Sequence, residues 1–457
     1  MAGNKKLFRY YYWVILEFFK KHSRLILLSF FISFVAIIGF LSLSPYIKVA
    51  MTKQEVIGLV GQYDINNPPD EIVNKISNGL VTVTDKGEII PVIANSWEVD
   101  PQGTRYRFHL KDNLLWGDNK KFTSKDISYD FKDVKVDVID DKTIDFILKK
   151  PLAIFPTYLN KPLIRYPLIG VAGFYKSGKI KTKSGYLSEV DLIPNIKGYS
   201  PIIYKFYNNE SQLVDAYKSG EINQMTLTKK SIADTFLSWK NSSVQRKVDY
   251  SRLMTLFLNQ KVKILTNKNI KDAIGSAFDY QKLSAYGEIA KGPIPPTSWG
   301  YDPNLKSNTY DPENASTIVR NEIKATEEAK LNLVTSYNYY DVADEISGEL
   351  KAIGLNNDLN FSSINQIGSF DMLLAYWKVP TDPDQYFFWH SKQTVENQGG
   401  NIVSYNNPKI DNLLEEGRST IDLDKREAIY FDFQKNIIAD PPAIFLFYPY
   451  VYTISRR

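Results

Sequence analysis

The chain has 457 residues, enough for two or three domains with cores of their own, and its hydrophobic share of 44% and charged share of 23% are those of a globular protein. It contains no cysteine and three histidines, which excludes disulfides, thiolate metal sites and cysteine nucleophiles and leaves little material for a histidine metal centre. The net charge of +5 is local: Lys5, Lys6, Arg9, Lys20, Lys21 and Arg24 against Glu17 account for it, so the remaining 50 basic and 50 acidic side chains balance and no nucleic-acid-binding body is expected.

Residues 25–47 carry no charge. As a helix they would span about 34 Å, more than a bilayer core of about 30 Å. The run is longer than the apolar part of a cleavable signal, and SLSPYIK is a poor cleavage site. An uncleaved single-pass anchor is therefore expected, with the basic segment 1–24 cytoplasmic and the body outside, extracellular or periplasmic. Residues 7–19, aromatic and bracketed by basic residues, are expected either along the inner membrane face or as a poorly ordered tail.

The body opens with a short apolar strand from Val56 to Gly61, a polar turn at Asn66-Asn67-Pro68, a helix near Asp70 and a strand at Val81-Thr82-Val83. Trp97 and Val99 alternate on one strand, Asp100-Pro101-Gln102-Gly103 turns, and Tyr106, Phe108 and Leu110 alternate on the return, with Arg105, Arg107 and His109 on its other face. Thr123 and Asp126 form a capping-box-like helix start. Gly173 to Lys179 matches G-x-x-x-x-G-K, but Ile180 stands where a Mg²⁺-binding hydroxyl is required, so no nucleotide site is expected. Further on, Phe370 to Trp377 reads as a strand and Val379-Pro380-Thr381 as an extended turn, with Asp382 and Pro383 as the N-cap and first residue of a helix bearing Trp389.

The block from Ile93 to Ile127 resembles the signature of the family 5 extracellular solute-binding proteins, the peptide- and nickel-binding components of ABC importers. It carries Ile93-Ala94-Asn95-Ser96-Trp97-Glu98, Tyr106-Arg107-Phe108-His109-Leu110-Lys111, Trp116-Gly117-Asp118-Asn119 and Phe122-Thr123-Ser124-Lys125-Asp126-Ile127. Asn119 stands in place of a glycine, which asparagine replaces best at positive φ. Gly220-Glu221-Ile222, Leu258-Asn259, Ile270 to Asp279, Gly292 to Pro296, Tyr310 to Ala315 and Tyr405 to Asp411 continue the resemblance in family order.

The resemblance implies a mixed α/β (α+β), two-lobed, three-domain clamshell of the type II periplasmic-binding-protein kind, behind one transmembrane helix. Lobe I would hold 48–79, 166–250 and 441–457, a reduced lobe II 80–165, and lobe III 251–440. It also implies a membrane-anchored protein that captures a small solute, oligopeptide-like or a metal chelate, for an ABC transporter permease. Hinges are expected near Tyr250 and Asp440-Pro441. Pocket residues are expected at Gln62, Tyr63, Asn259, Tyr376, Trp377 and Trp389, with no catalytic residue, metal or cofactor. The peptide-binding members place an amine-pairing aspartate four residues before the Asp-Pro proline. Here that position is Val379, so Asp371 or Asp382 would have to substitute, or the solute is not a peptide held by its N-terminus. A solute-sensing receptor or scaffold on the same fold and an exported hydrolase with paired carboxylates are the alternatives. His109 and His390 read as structural, and Asp126, Asp311, Asp382 and Asp411 as helix-start acids.

Overall fold

The computed structural model describes residues 3–51, 54–84, 86–323, 330–362 and 369–457. They form two compact units, Met1–Glu55 with Gly198–Ile202, and the remainder. The first unit is dominated by helix α1, Gly3–Met51. Tyr10, Trp13, Phe18, Phe30, Phe34 and Ile37 of this helix are all exposed, as are the charged Glu17, Lys20, Lys21 and Arg24. Among the described residues no single helix is long and apolar enough to cross a membrane; Tyr10–Leu25 and Leu28–Gly39, bent by 56° where they meet, meet the length and composition requirement together. The straight span expected over 25–47 is thus not found. The side chains of 26, 27, 36 and 40–51 lie outside the described residues.

In the second unit the chain begins with β1, Glu55–Val60, and α2, Asp70–Ile76. A two-stranded ribbon follows, β2 (Val81–Val83) with β3 (Ile89–Pro91). Then comes an antiparallel sheet of β4 (Ala94–Val99), β5 (Arg105–Leu110), β6 (Val134–Asp140) and β7 (Thr143–Leu148), in the order β4-β5-β7-β6. The alternation in β5 sets its faces: Tyr106, Phe108 and Leu110 are buried, with Phe108 against Trp97 and Phe146. On the other face Arg107 lies directly across from Asp145 and binds it through two nitrogens at 2.7 and 2.8 Å. Gly103 and Asn119 take the positive φ their turns require. The capping box at Thr123 and Asp126 is present, but it opens only a single 3₁₀ turn, because Ile127 is already extended. A ribbon of β8 (Ile164–Arg165) and β9 (Ile169–Gly170) leads out of this region.

The next segment supplies β10 (Tyr175–Lys183), β11 (Tyr186–Pro194), β12 (Ile202–Tyr207), α3 (Glu210–Ser219), β13 (Gln224–Leu227), α4 (Lys230–Asp234) and β14 (Ser242–Val248). Gly178 and Lys179 of the G-x-x-x-x-G-K match lie within β10, paired to β11 in an edge hairpin, which is not a phosphate-cradling loop before a helix. The last segment holds β15 (Arg252–Leu258), α5 (Lys268–Ala277), α6 (Tyr280–Leu283), β16 (Gly287–Ile289), α7 (Pro312–Glu322), β17 (Leu331–Thr335), α8 (Tyr340–Ala352), β18 (Asn357–Phe361), β19 (Met372–Lys378), α9 (Tyr386–Trp389), α10 (Pro408–Ser419), α11 (Leu423–Ala439) and β20 (Ala443–Arg456).

One long sheet joins these segments in the order β10-β11-β12-β1-β13-β20-β15-β19-β17-β18, with β14 and β16 also on β20. The 14-residue β20 serves two neighbourhoods. Its first half, Ala443 to Phe447, pairs with β15, and its second half, Tyr450 to Arg456, pairs with β14. Chain therefore passes between the two halves of the sheet at Asp249-Tyr250-Ser251 and at Pro449, and the two crossings touch, since the Asp249 amide donates to the Pro449 carbonyl at 2.9 Å. The second crossing falls inside β20, eight residues beyond the Asp440-Pro441 expected from sequence.

The β15–β19–β17 part is buried on both faces. Met254, Leu256, Leu258, Met372 and Leu374 enter one hydrophobic cluster with α5 and α8, and Leu253, Phe257, Leu373 and Trp377 enter another with α10 and α11. A strand covered on both sides reads as a continuous apolar run rather than an alternation, as LFL and MLL do here. Each fully buried Leu, Phe or Met contributes roughly 1.5–3 kcal/mol.

Candidate functional site

β17 runs parallel to both β18 and β19, so the carboxyl ends of three strands, Thr335, Phe361 and Lys378, lie at one edge of this part of the sheet. On the other half β1 runs parallel to β13, with Ile57 opposite Gln224, and β13 pairs to β20 with Leu227 opposite Tyr452. The carboxyl ends of β1 and β13 therefore also point toward the crossing strands. Parallel strands characteristically bind ligands beyond their carboxyl ends, where backbone groups and loop side chains converge. Here two such edges face each other across Tyr250 and Pro449.

Side chains two apart share a face of a strand. Tyr376 and Lys378 therefore lie on the same face of β19, and Arg252 is paired directly with Lys378 on that face. The Tyr376 ring meets Tyr339 edge-on at 5.1 Å between centroids, and the Arg252 guanidinium stands 5.6 Å from its centre. Burial pushes the Tyr376 and Tyr339 hydroxyls above the usual phenol range. Arg252 is held by Asp249 at 2.7 Å, and Lys378 reaches across to Asp70, the first residue of α2, also at 2.7 Å. The Lys378–Asp70 pair is solvated, with three quarters of each side chain exposed, and is cheap to exchange for another partner. Tyr337, just past β17, and Phe361, the last residue of β18, are exposed and contact each other at 5.5 Å.

The six expected pocket residues do not come together. Trp377 faces away from Tyr376: it is 7% exposed, its indole N–H donates to the Thr255 hydroxyl at 3.1 Å, and it packs on Phe388 and Trp389. Trp389 is 1% exposed and donates to Gln385 at 2.8 Å. Both tryptophans are core, with their polar atoms satisfied from within. Asn259 stands beside Asp371, at the start of β19, about 17 Å along the strand from Tyr376 at roughly 3.3 Å per residue. Its amide closes a turn, donating to the Phe370 carbonyl at 2.8 Å and accepting from Lys261 at 3.0 Å. Gln62 and Tyr63 follow the carboxyl end of β1, on the opposite wall; Gln62 bonds Asn208 and Tyr63 packs on Phe206. Tyr376 stands near the carboxyl end of β19, and Gln62 and Tyr63 beyond that of β1, so three of the six lie at the two strand-end edges, while Trp377, Trp389 and Asn259 do not.

The acids named as substitutes at the Val379 position are engaged elsewhere. Asp371 accepts from the Asn332 amide at 2.7 Å, and Asp382 accepts from Arg426 at 2.9 Å. Val379 itself is buried. Asp382 is not a helix cap either, because α9 starts only at Tyr386; its carboxylate bonds the Asp384 amide and Arg426 instead. Asp311 caps α7 as expected, and Asp411, in the first turn of α10, holds Ser391. His390 is buried, with one ring nitrogen on Glu415 and the other accepting from the Lys392 amide. Arg252, Tyr339, Lys378 and Asp70 were not singled out in the sequence. The signal for them is topological, since only the pairing of β15 with β19 and of β17 with β19 brings them to one edge.

The fold thus joins two sheet halves through crossing strands, with aromatic and charged groups gathered at the carboxyl end of β19. The chain matches the bacterial extracellular solute-binding proteins, family 5, over residues 88–137 and 194–399, more than half its length, and belongs to that family. The probable D,D-dipeptide-binding periplasmic protein DdpA of Escherichia coli K12 is 24% identical over 424 residues, 79% of this chain and 80% of that protein. Two solved structures share the fold. NikZ from Campylobacter jejuni, in complex with Ni(L-His), aligns with a TM-score of 0.73 at 21% identity, over 89% of this chain and 94% of that one. The oligopeptide-binding protein AppA from Bacillus subtilis, in complex with a nonapeptide, aligns at 0.71 and 20% identity over the same shares.

Proposed function

We propose that this protein captures a small solute between two lobes, outside the cytoplasm, and delivers it to the permease of an ABC importer. Lobe I comprises 48–79, 166–250 and the second half of β20; lobe II comprises 80–165; lobe III comprises 251–440 and the first half of β20. The observation that carries this reading is the convergence of strand carboxyl ends from both halves on the crossings at Tyr250 and Pro449. These crossings are the hinge. Tyr250 packs on Tyr448 at 5.3 Å and donates to Glu288 at 2.9 Å, and both rings join the hydrophobic cluster with α10 and α11, so this crossing is anchored on the lobe III side. Relatives described as binding D,D-dipeptides and oligopeptides, and a structure holding a nickel–histidine chelate, frame the solute class.

Val379 and the prior commitments of Asp371 and Asp382 leave no acid at that position to neutralise a buried ammonium, whereas Arg252 and Lys378 stand beside Tyr339 and Tyr376, and a solute carboxylate would have to compete with Asp249 and Asp70 for them. The solute we favour therefore presents a carboxylate to Arg252 and Lys378 and an apolar or aromatic group to the two tyrosines. The N-terminal unit tethers the protein to the membrane: the bent pair Tyr10–Leu25 and Leu28–Gly39 has the required length and composition.

Thermal-shift screening of the full-length protein in detergent tests this. Peptides with a free carboxylate, their amidated and N-acetylated forms, and nickel–histidine are the probes. A ligand at a hundred times its Kd adds about 2.7 kcal/mol. N-acetylation is expected to leave the shift intact and amidation to abolish it. A strict requirement for the free amine, or no shift with any probe, would count against the reading.

A further inference from the structure

Among the described residues, 80–165 reach the 251–440 region at Tyr158 and at Gly87, and both contacts lead to one loop. The 3₁₀ turn Phe155–Asn160 carries Tyr158, whose hydroxyl donates to Asp384 at 3.3 Å and accepts from Arg418 at 2.8 Å. Arg418 also pairs with Asp384 at 3.1 Å and covers the Tyr386 ring at 4.2 Å. The second point is Gly87, in the β2–β3 turn at φ 76°, where an added methyl would collide with the Trp299 indole. Trp299 in turn lies under Arg426 at 4.8 Å, and Arg426 holds Asp382. Pro383, between the two aspartates, packs against Gly300.

Asp382-Pro383-Asp384 is thus gripped by one arginine from α10 and one from α11, and lobe II leans on both arginines. Through Tyr158 it accepts a hydrogen bond from the first, and through the close fit of Gly87 it seats Trp299 against the second. This loop is the direct continuation of Lys378 and Val379, so its position fixes where β19 ends. Burial raises the Asp384 carboxyl above its ordinary range, while Tyr158 itself stays exposed at the rim of the contact.

We propose that lobe II is a clasp: Tyr158 and the Gly87 turn hold the Asp382-Pro383-Asp384 loop and so favour the closed arrangement of the lobes, with Tyr158 a positioning residue that touches no solute. The inference rests on the reading of the protein as a two-lobed capture device, and it assigns the small lobe a role in that motion.

The absence of cysteine allows a direct test on the full chain in detergent. Spin labels on Lys111→Cys and Glu427→Cys, both exposed positions, report the distance between lobes II and III by pulsed dipolar spectroscopy without any solute. Tyr158→Phe removes one hydroxyl and is expected to lower the closed-to-open ratio about fivefold, the size of one net hydrogen bond, with an unchanged melting temperature. Gly87→Val is expected to act in the same direction. Distance distributions that are unchanged in both variants overturn the clasp, whatever the solute screen finds. A shift in these distances without any solute ever being found would leave the clasp standing and remove the capture reading.

Discussion

Tyr376 and Trp377 are neighbours in the chain and belong to different environments. Trp377 turns into a core shared with Trp389, Phe445 and Tyr430, and its N–H is spent on Thr255. Tyr376 turns to the face where Arg252 and Lys378 stand, at the edge that faces the other half of the sheet. A run of aromatics at the end of a strand thus supplies two surfaces of different purpose, and the strand's period of two decides which residue goes where. In such a strand aromatic content marks the neighbourhood of a site without naming its members.

Truncation of the sealed face has the largest expected effect. Trp389→Ala opens a cavity among Phe257, Trp377 and Phe445 and should cost about 3–5 kcal/mol in chemical denaturation. A loss below about 1 kcal/mol would mean that this face is not closed. Next in size, Tyr376→Ala should cost about 2 kcal/mol, because its ring is only partly covered, and should weaken solute binding at least tenfold in titration calorimetry. Equal loss of affinity in Trp377→Phe, which keeps most of the core volume, would erase the difference between the faces.

Alkaline titration probes the hinge between them. Burial first, then the bond to Glu288, pushes the Tyr250 hydroxyl up to about 12 from an ordinary value of 10.0. Its neutral form is the one the fold favours, so its contribution is complete below pH 10 and is lost as pH rises toward 12. Tyr250→Phe should flatten that part of the stability profile, and an unaltered slope between pH 10 and 12 would remove Tyr250 from the account. The smallest effect belongs to Lys378→Ala. An exposed pair with Asp70 is worth within about 0.5 kcal/mol of stability, so the change should register in the salt dependence of solute binding and hardly at all in melting.

Much of the architecture could be read before folding. The β4–β5 hairpin follows from alternation and a turn with a glycine at its end, and the family resemblance follows from motifs in order. The site was harder to read. Asn259 stands next to a strand, as a pocket residue often does, but at the wrong end of it, and only the antiparallel register of β15 with β19 reveals this. Asp382 has the sequence of a helix cap, but the demand of the buried Arg426 for a carboxylate takes precedence over local capping. The lobe boundaries implied by the resemblance put the second crossing at Asp440-Pro441, whereas the change of partners occurs within β20 at Pro449, invisible to any local pattern. In each case a long-range pairing settled the matter.

The most direct test is a crystal structure of the protein with whichever carboxylate-bearing solute gives the largest thermal shift. The account predicts that solute between the two strand-end edges, its carboxylate at Arg252 or Lys378 and its apolar part on Tyr376 and Tyr339. A solute seated against Trp377 and Trp389, or one bound away from the crossings at Tyr250 and Pro449, would contradict it.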